Sequence, residues 1–186
     1  DCTEFLNGDE WDSQMNYYAS SRAIREFYGQ HDIFVSREKL LQGVDYKSTA
    51  KDLSKRISLF YARLPFVMTQ IQFNLLDSHD VPRFHNDNKI SKDMLKGALI
   101  MLFTLPGSAS IYYGDEAEIS GTVDSVEGAR YPMPWSKNIE ETFSYKLYSS
   151  LSHLKTEYDS FKNGGFKILW DEGFVFAFAR FTPSEL

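Results

Sequence analysis

The residues best placed to do chemistry are His79-Asp80, which close the apolar run Ile71-Gln72-Phe73-Asn74-Leu75-Leu76 and precede Val81-Pro82-Arg83-Phe84. An imidazole can hydrogen-bond a substrate, and an adjacent carboxylate can act on developing positive charge. The plainer alternative is an Asx-type turn, with Asp80 bonding backbone amides and His79 incidental. Spacing alone leaves these two readings level. Adjacent His and Asp also occur in metal-dependent phosphohydrolases, where further His and Asp residues complete the site. Here His31, His85 and His153 stand at no ligand spacing from His79, and Pro82 counts against the helical context such a site needs. Asp77 reads as a supporting acceptor or a turn residue. Arg83 pairs with Asp80 or with another carboxylate: an exposed pair contributes little, but in a water-poor cleft it keeps its partner ionised. Asp115-Glu116 read as solvated loop carboxylates sooner than as substrate contacts. Asn16-Tyr17, Arg130, Trp135 and Trp170 carry little alone, and Trp135, near Pro132 and Pro134, reads as packing. Cys2 has no nearby His and is not read as a nucleophile.

The elements around the pair must hold it at the edge of a core. Ile71–Leu76 is an apolar run of strand length, so it reads as a buried strand. Pro82 disfavours helix at Val81, which puts His79-Asp80 on a loop past the strand's C-terminal end, where α/β folds commonly place chemistry. Upstream, Trp11–Tyr18 reads as a short strand ending at Asn16-Tyr17. Ser20-Ser21 then cap a helix over Arg22–Tyr28 that stops at Gly29. Ser36 to Leu41 suggests a helical turn. Leu53, Ile57, Phe60 and Leu64 mark an amphipathic helix over Thr49–Leu64, ended by Pro65. Downstream, Ser91 caps a helix from Lys92 to about Phe103, stopped by Pro106-Gly107. Ser108–Tyr113 is a second buried strand. Glu140–Tyr158 is a helix with Phe143, Leu147, Leu151 and Leu154 on one stripe, and Phe166–Trp170 with Phe174–Arg180 form a hairpin around Asp171-Glu172-Gly173. Three strand–helix units predict a parallel sheet with crossover helices. The change of rhythm near Phe161 predicts a domain boundary, with residues 1–160 in one unit and 161–186 opening another.

Composition bounds the partners. The chain has 186 residues, a net charge of −6 and no basic run, which argues against nucleic acid and anionic membrane as partners. A single cysteine excludes an internal disulfide. No apolar run approaches the length of a membrane span. The 15 Phe and 11 Tyr suit sugar stacking, although core filling is the commoner cause of such a surplus. No metal or other cofactor is expected. The start has no signal-like segment, so a cytoplasmic location is expected, with secretion the alternative.

Together these motifs resemble glycoside hydrolase family 13, the α-amylase family, and within it the neopullulanase, cyclomaltodextrinase and maltogenic-amylase group. Gly8–Tyr17 is similar to the stretch entering barrel strand six, which ends in Met15-Asn16-Tyr17. Phe73–Asp80 is similar to strand seven with its His-Asp motif and following Arg, here Arg83. Ile111-Tyr112-Tyr113-Gly114-Asp115-Glu116 is similar to strand eight and its loop, and Arg130–Trp135 to the Arg-x-x-Met-x-Trp pattern after it. From Phe166 onward the chain resembles the opening of the β-sandwich behind the barrel. Two positions depart from the pattern: Val81 stands where Thr or Asn is common, which bears on substrate range, and Ala109 stands where Pro is common.

The resemblance implies the C-terminal segment, about strands six to eight, of a (β/α)8 barrel and the start of an antiparallel sandwich. It implies a retaining glycosidase acting on maltodextrin, cyclodextrin or pullulan-type α-glucans through an oxocarbenium-like transition state. Asp80 would be the transition-state-stabilising carboxylate, with His79, Arg83, Asn16 and Tyr17 binding sugar. The nucleophile of strand four and the acid/base of strand five would lie outside the chain, so the chain alone is expected to be inactive. A non-catalytic domain that binds sugar or protein is the alternative function. Strands six and eight would expose unpaired edges, so a homodimer, or pairing with the missing barrel half, is expected.

Overall fold

A computed structural model describes residues 2–30, 48–87, 89–121 and 129–185. The helical turn expected at Ser36–Leu41 lies outside the described residues. Among the described residues, no helix is long and apolar enough to cross a membrane.

The centre of the site-bearing sheet is β1 (Phe73–Leu75). It pairs in parallel with β2 (Ser108–Ser110), Phe73 opposite Ser108 and Leu75 opposite Ser110. On its other edge, Phe73 makes a parallel bridge to Met15, and Asn16 N donates to Phe73 O at 2.8 Å. The parallel order anticipated from the strand–helix rhythm is therefore present, Met15 then β1 then β2. The strands are shorter than expected: only one bridge forms at Met15, and β2 stops at Ser110.

The segment after Met15 departs from its expected form. Ser20 and Ser21 do not cap the first helix. The chain makes a wide π-type turn over Tyr17–Ser21, with Ser21 N bonding Asn16 O, before α1 (Arg22–Phe27) begins. Asn16 is the cap, its Oδ1 accepting from Ala19 N at 2.9 Å. The serine hydroxyls turn instead to the β1 end: Ser20 Oγ donates to Leu75 O at 2.8 Å and Ser21 Oγ to Leu76 O at 2.6 Å. Those carbonyls belong to the last residue of β1 and the residue after it, and buried carbonyls need donors.

The helices follow the sequence closely. α2 (Ala50–Tyr61) starts with a reciprocal capping box between Thr49 and Asp52. α2 stops at Tyr61, short of the expected end at Leu64, and Pro65 instead precedes α3 (Phe66–Thr69), a short turn the sequence did not suggest. α4 (Lys92–Thr104) is capped by Ser91 and joins β1 to β2. α5 (Phe143–Glu157) is capped by Thr142, two residues after the expected start, and leads into α6 (Asp159–Asn163). Ile24, Leu53, Ile57, Leu99, Leu102 and Leu151 pack into one core beneath the sheet. Each such side chain contributes about 1.5–3 kcal/mol by burial.

β3 (Gly165–Glu172) and β4 (Val175–Phe181) form the expected antiparallel hairpin, turning at Gly173 with φ of +59°. Phe166, Phe176 and Phe178 pack against the same core as the helices. Arg180 ties the hairpin to both neighbouring segments, donating to Thr104 O at 2.9 Å and to Gln70 Oε1 at 3.0 Å.

Candidate active-site turn

The loop after β1 is a closed clasp. Asp77 Oδ2 accepts from Phe84 N at 2.7 Å, pinning the two ends of residues 77–84 together. Within it Ser78 and Val81 form an antiparallel bridge, and Asp80 N donates to Ser78 Oγ at 3.1 Å. His79 and Asp80 thus occupy the tip of a tight turn and are exposed, 52% and 62% by side chain. His79 Nε2 lies 3.2 Å from Asp80 Oδ1, and Arg130 Nη2 lies 3.7 Å from the same oxygen. Tyr17 OH meets Ser78 Oγ at 2.9 Å, which brings the segment after Met15 to the flank of the turn. In this arrangement Asp80 is a carboxylate open to a ligand, with an imidazole and a guanidinium beside it. The turn itself is held by Ser78, which leaves the Asp80 carboxylate free of the Asx-type role weighed above.

The other expected sugar-binding residues are placed differently. Arg83 is fully buried. Its Nη1 donates to Asp115 Oδ1 at 2.6 Å, its Nη2 to Ala129 O at 3.0 Å, and its guanidinium lies over the Tyr112 ring at 4.5 Å. With no exposed atom, Arg83 meets protein groups and not a ligand in this conformation. Asn16 is likewise buried; besides capping the π-type turn, its Nδ2 donates to Asn74 Oδ1 at 2.8 Å. Of the five residues singled out, the fold brings His79, Asp80 and Tyr17 together at one face and sets Arg83 and Asn16 behind it.

Asp115 corrects a further expectation. It is not a solvated loop carboxylate but is buried, facing Arg83 and Asp77. Burial, then the Asp77 charge, pushes its carboxyl well above the ordinary range. Burial is also the main cause lowering the His85 imidazole, whose Nε2 meets Ile119 O at 2.9 Å. A strand-end pair gives no sequence cue to which carboxylate turns inward; Arg83 seven residues after Leu76 was the available hint, since a buried guanidinium demands an acceptor. Trp135 also departs from its packing reading, being 79% exposed on the loop that carries Arg130. Among the described residues no group of three His, Cys, Asp or Glu side chains is gathered as a metal ion would need.

A family model described as alpha amylase, catalytic domain, matches residues 1–164. A cyclomaltodextrinase of Thermoanaerobacter pseudethanolicus is 30% identical over 97% of this chain and 28% of its own length. Neopullulanase 2 of Thermoactinomyces vulgaris is 30% identical over 88% of this chain and 25% of its own length. Among solved structures, Ttha1563 of Thermus thermophilus superposes with a TM-score of 0.79 at 28% identity, over 95% of this chain and 37% of that one. The cyclic alpha-maltosyl-(1→6)-maltose hydrolase of Arthrobacter globiformis gives 0.80 at 24% identity, over 98% and 37%, and shares the fold. These structural neighbours are (β/α)8-barrel enzymes of which the chain covers a part. The chain spans about a quarter of the length of these curated relatives.

Proposed function

The chain belongs to the alpha-amylase family, and from that membership we propose that it is the C-terminal part of the catalytic barrel, about strands six to eight, of a retaining α-glucan hydrolase. In this reading Met15, β1 and β2 lie on strands six, seven and eight. Residues 161–186, with the β3–β4 hairpin, open the following β-sandwich. The observation that carries the reading is the exposed His79–Asp80 tip directly past the end of a central parallel strand, with Tyr17 and Arg130 beside it.

Asp80 is the transition-state-stabilising carboxylate. As the glycosidic bond breaks, positive charge grows on the sugar ring, and a carboxylate already in place stabilises it without reorganising. His79 donates to, or accepts from, a hydroxyl of the same sugar, and Tyr17 borders the ring. Arg83 and Asn16 serve the site indirectly: one fixes the loops, the other fixes the entry to α1. The substrates are maltodextrin, cyclodextrin or pullulan-type α-glucans, the class named by the relatives. The nucleophile and the acid/base come from sequence outside residues 1–186, so the complete site forms only in a longer polypeptide.

A reducing-sugar assay on maltodextrin, cyclodextrin and pullulan tests this. The 186-residue chain alone should give no turnover, and the same segment within a longer chain that carries the other two carboxylates should give it. Turnover by the chain alone that Asp80→Asn abolishes would overturn the partial-site reading.

A further inference from the structure

A buried carboxyl pair lies behind the exposed turn. Asp77 and Asp115 come from two loops, those after β1 and β2, and are 4% and 3% exposed. Their carboxyl groups face one another within hydrogen-bonding reach. Asp77 Oδ2 accepts from Phe84 N, but Asp77 Oδ1 is buried with no donor. Asp115 Oδ1 accepts from Arg83 Nη1 at 2.6 Å and lies 3.9 Å from His85 Nδ1. Two carboxylates held together out of water repel, and a buried acceptor without a donor is costly. A single proton on the second Asp115 oxygen would relieve both, donating to Asp77 while the first oxygen stays with Arg83.

We propose that Asp77 and Asp115 share one proton in the folded protein, and that this pair, acting through Arg83, is a positioning device for the His79–Asp80 turn. The path is short. Asp77 closes the clasp on which His79 and Asp80 ride, through Phe84 N. Arg83 reaches from Asp115 to Ala129 O, and the next residue, Arg130, approaches Asp80. The pair is faced by Arg83 from its own loop, Arg25 from α1, His85 beside the clasp and Tyr148 from α5. Arg25 and Arg83 favour ionised carboxylates. Burial and mutual repulsion oppose them and prevail at Asp115, whose carboxyl is raised well above the ordinary value. His85 adds no cation near neutrality, because burial lowers its imidazole. The inference concerns how the turn is held, so it stands or falls apart from the proposed glycosidase function, and its test uses no sugar.

For an acid whose folded pKa is raised, the folded state keeps a proton that the unfolded chain has released. Stability is then lost as pH rises from the unfolded value, about 4, towards the folded one. Urea unfolding of the 186-residue chain across that window should show the unfolding constant rising with pH by up to about tenfold per unit more than in the Asp115→Asn chain. Asp77→Asn should shrink the same rise without abolishing it, since it removes the repulsion and leaves the burial of Asp115. Carboxyl ¹³C NMR of the unmutated chain gives a second reading that needs no variant to fold. One Asp carboxyl should keep its proton well above the ordinary range, with the amides of Asp80 and Phe84 shifting in the same titration. Equal pH dependence in wild type and Asp115→Asn, every Asp titrating near its ordinary value, or an Asp80 amide that ignores the titration would each overturn the proposal.

Discussion

Replacing Arg83 by Met would test how the loops at the site are held. The side chain is fully buried and is bound at both ends of its fork, 2.6 Å to Asp115 and 3.0 Å to Ala129 O. Removing one partner of a buried ion pair costs about 3–5 kcal/mol, because the remaining charge is left uncompensated. Losing the guanidinium from the Tyr112 face, 4.5 Å away, adds about 1 kcal/mol. Ala129 O adds little, since Tyr112 OH also donates to it at 3.1 Å. The Met side chain restores most of the packing. The sum, about 4–6 kcal/mol, is a large share of the 5–15 kcal/mol typical of a folded domain. At about 2–4 °C per kcal/mol for a chain of this size, the midpoint should fall by roughly 10–20 °C. Urea titration followed by circular dichroism at neutral pH measures it. A loss below about 1 kcal/mol would refute the reasoning.

Other perturbations follow from the same contacts. Asn16→Ala removes the cap on Ala19 N and strips the buried Asn74 Oδ1 of its donor, so chemical denaturation should show a loss of about 2–4 kcal/mol. Gly107→Ala puts a Cβ at 2.7 Å from Gln72 O and 2.6 Å from Asn74 Nδ2 with φ at +119°, and should cost at least about 2 kcal/mol by the same assay. Lys155 donates to Phe103 O and Phe161 O, and burial lowers it to about 8. A lysine depressed in the folded state is protonated only in the unfolded chain between that value and about 10.4. Stability should therefore rise with pH across that window in wild type, and Lys155→Met should flatten the rise in thermal melts.

Much of the fold is written in local sequence. The cap Ser91, the apolar stripes and Gly173 in the hairpin are short-range features, so the helices and the hairpin were legible, although the caps Thr49 and Thr142 were not singled out and the last long helix starts three residues later than expected. The exposed tip was legible too, because Pro82 and the end of an apolar run fix where the chain leaves the core. The choice between competing short-range partners was not legible. Ser20 and Ser21 have capping chemistry, but the carbonyls of Leu75 and Leu76 at the end of β1 recruit them, and Asn16 takes the cap. Asp115 reads as a solvated loop carboxylate and Arg83 as a sugar-binding residue; their burial is decided by loops meeting across 32 residues of sequence. Trp135 shows the converse, an aromatic residue left outside because its loop is anchored elsewhere, at Ala129 and Tyr131.

The most direct test of the proposed function is Asp80→Asn in a longer polypeptide that supplies the other two carboxylates to this segment, with kcat and KM measured on maltodextrin. Asn keeps the shape of the turn, whose hydrogen bonds run through Ser78 and not through the Asp80 carboxylate. If Asp80 stabilises the transition state, kcat should fall by at least about 100-fold while KM stays within a few-fold. An undiminished kcat with the fold intact would contradict the account.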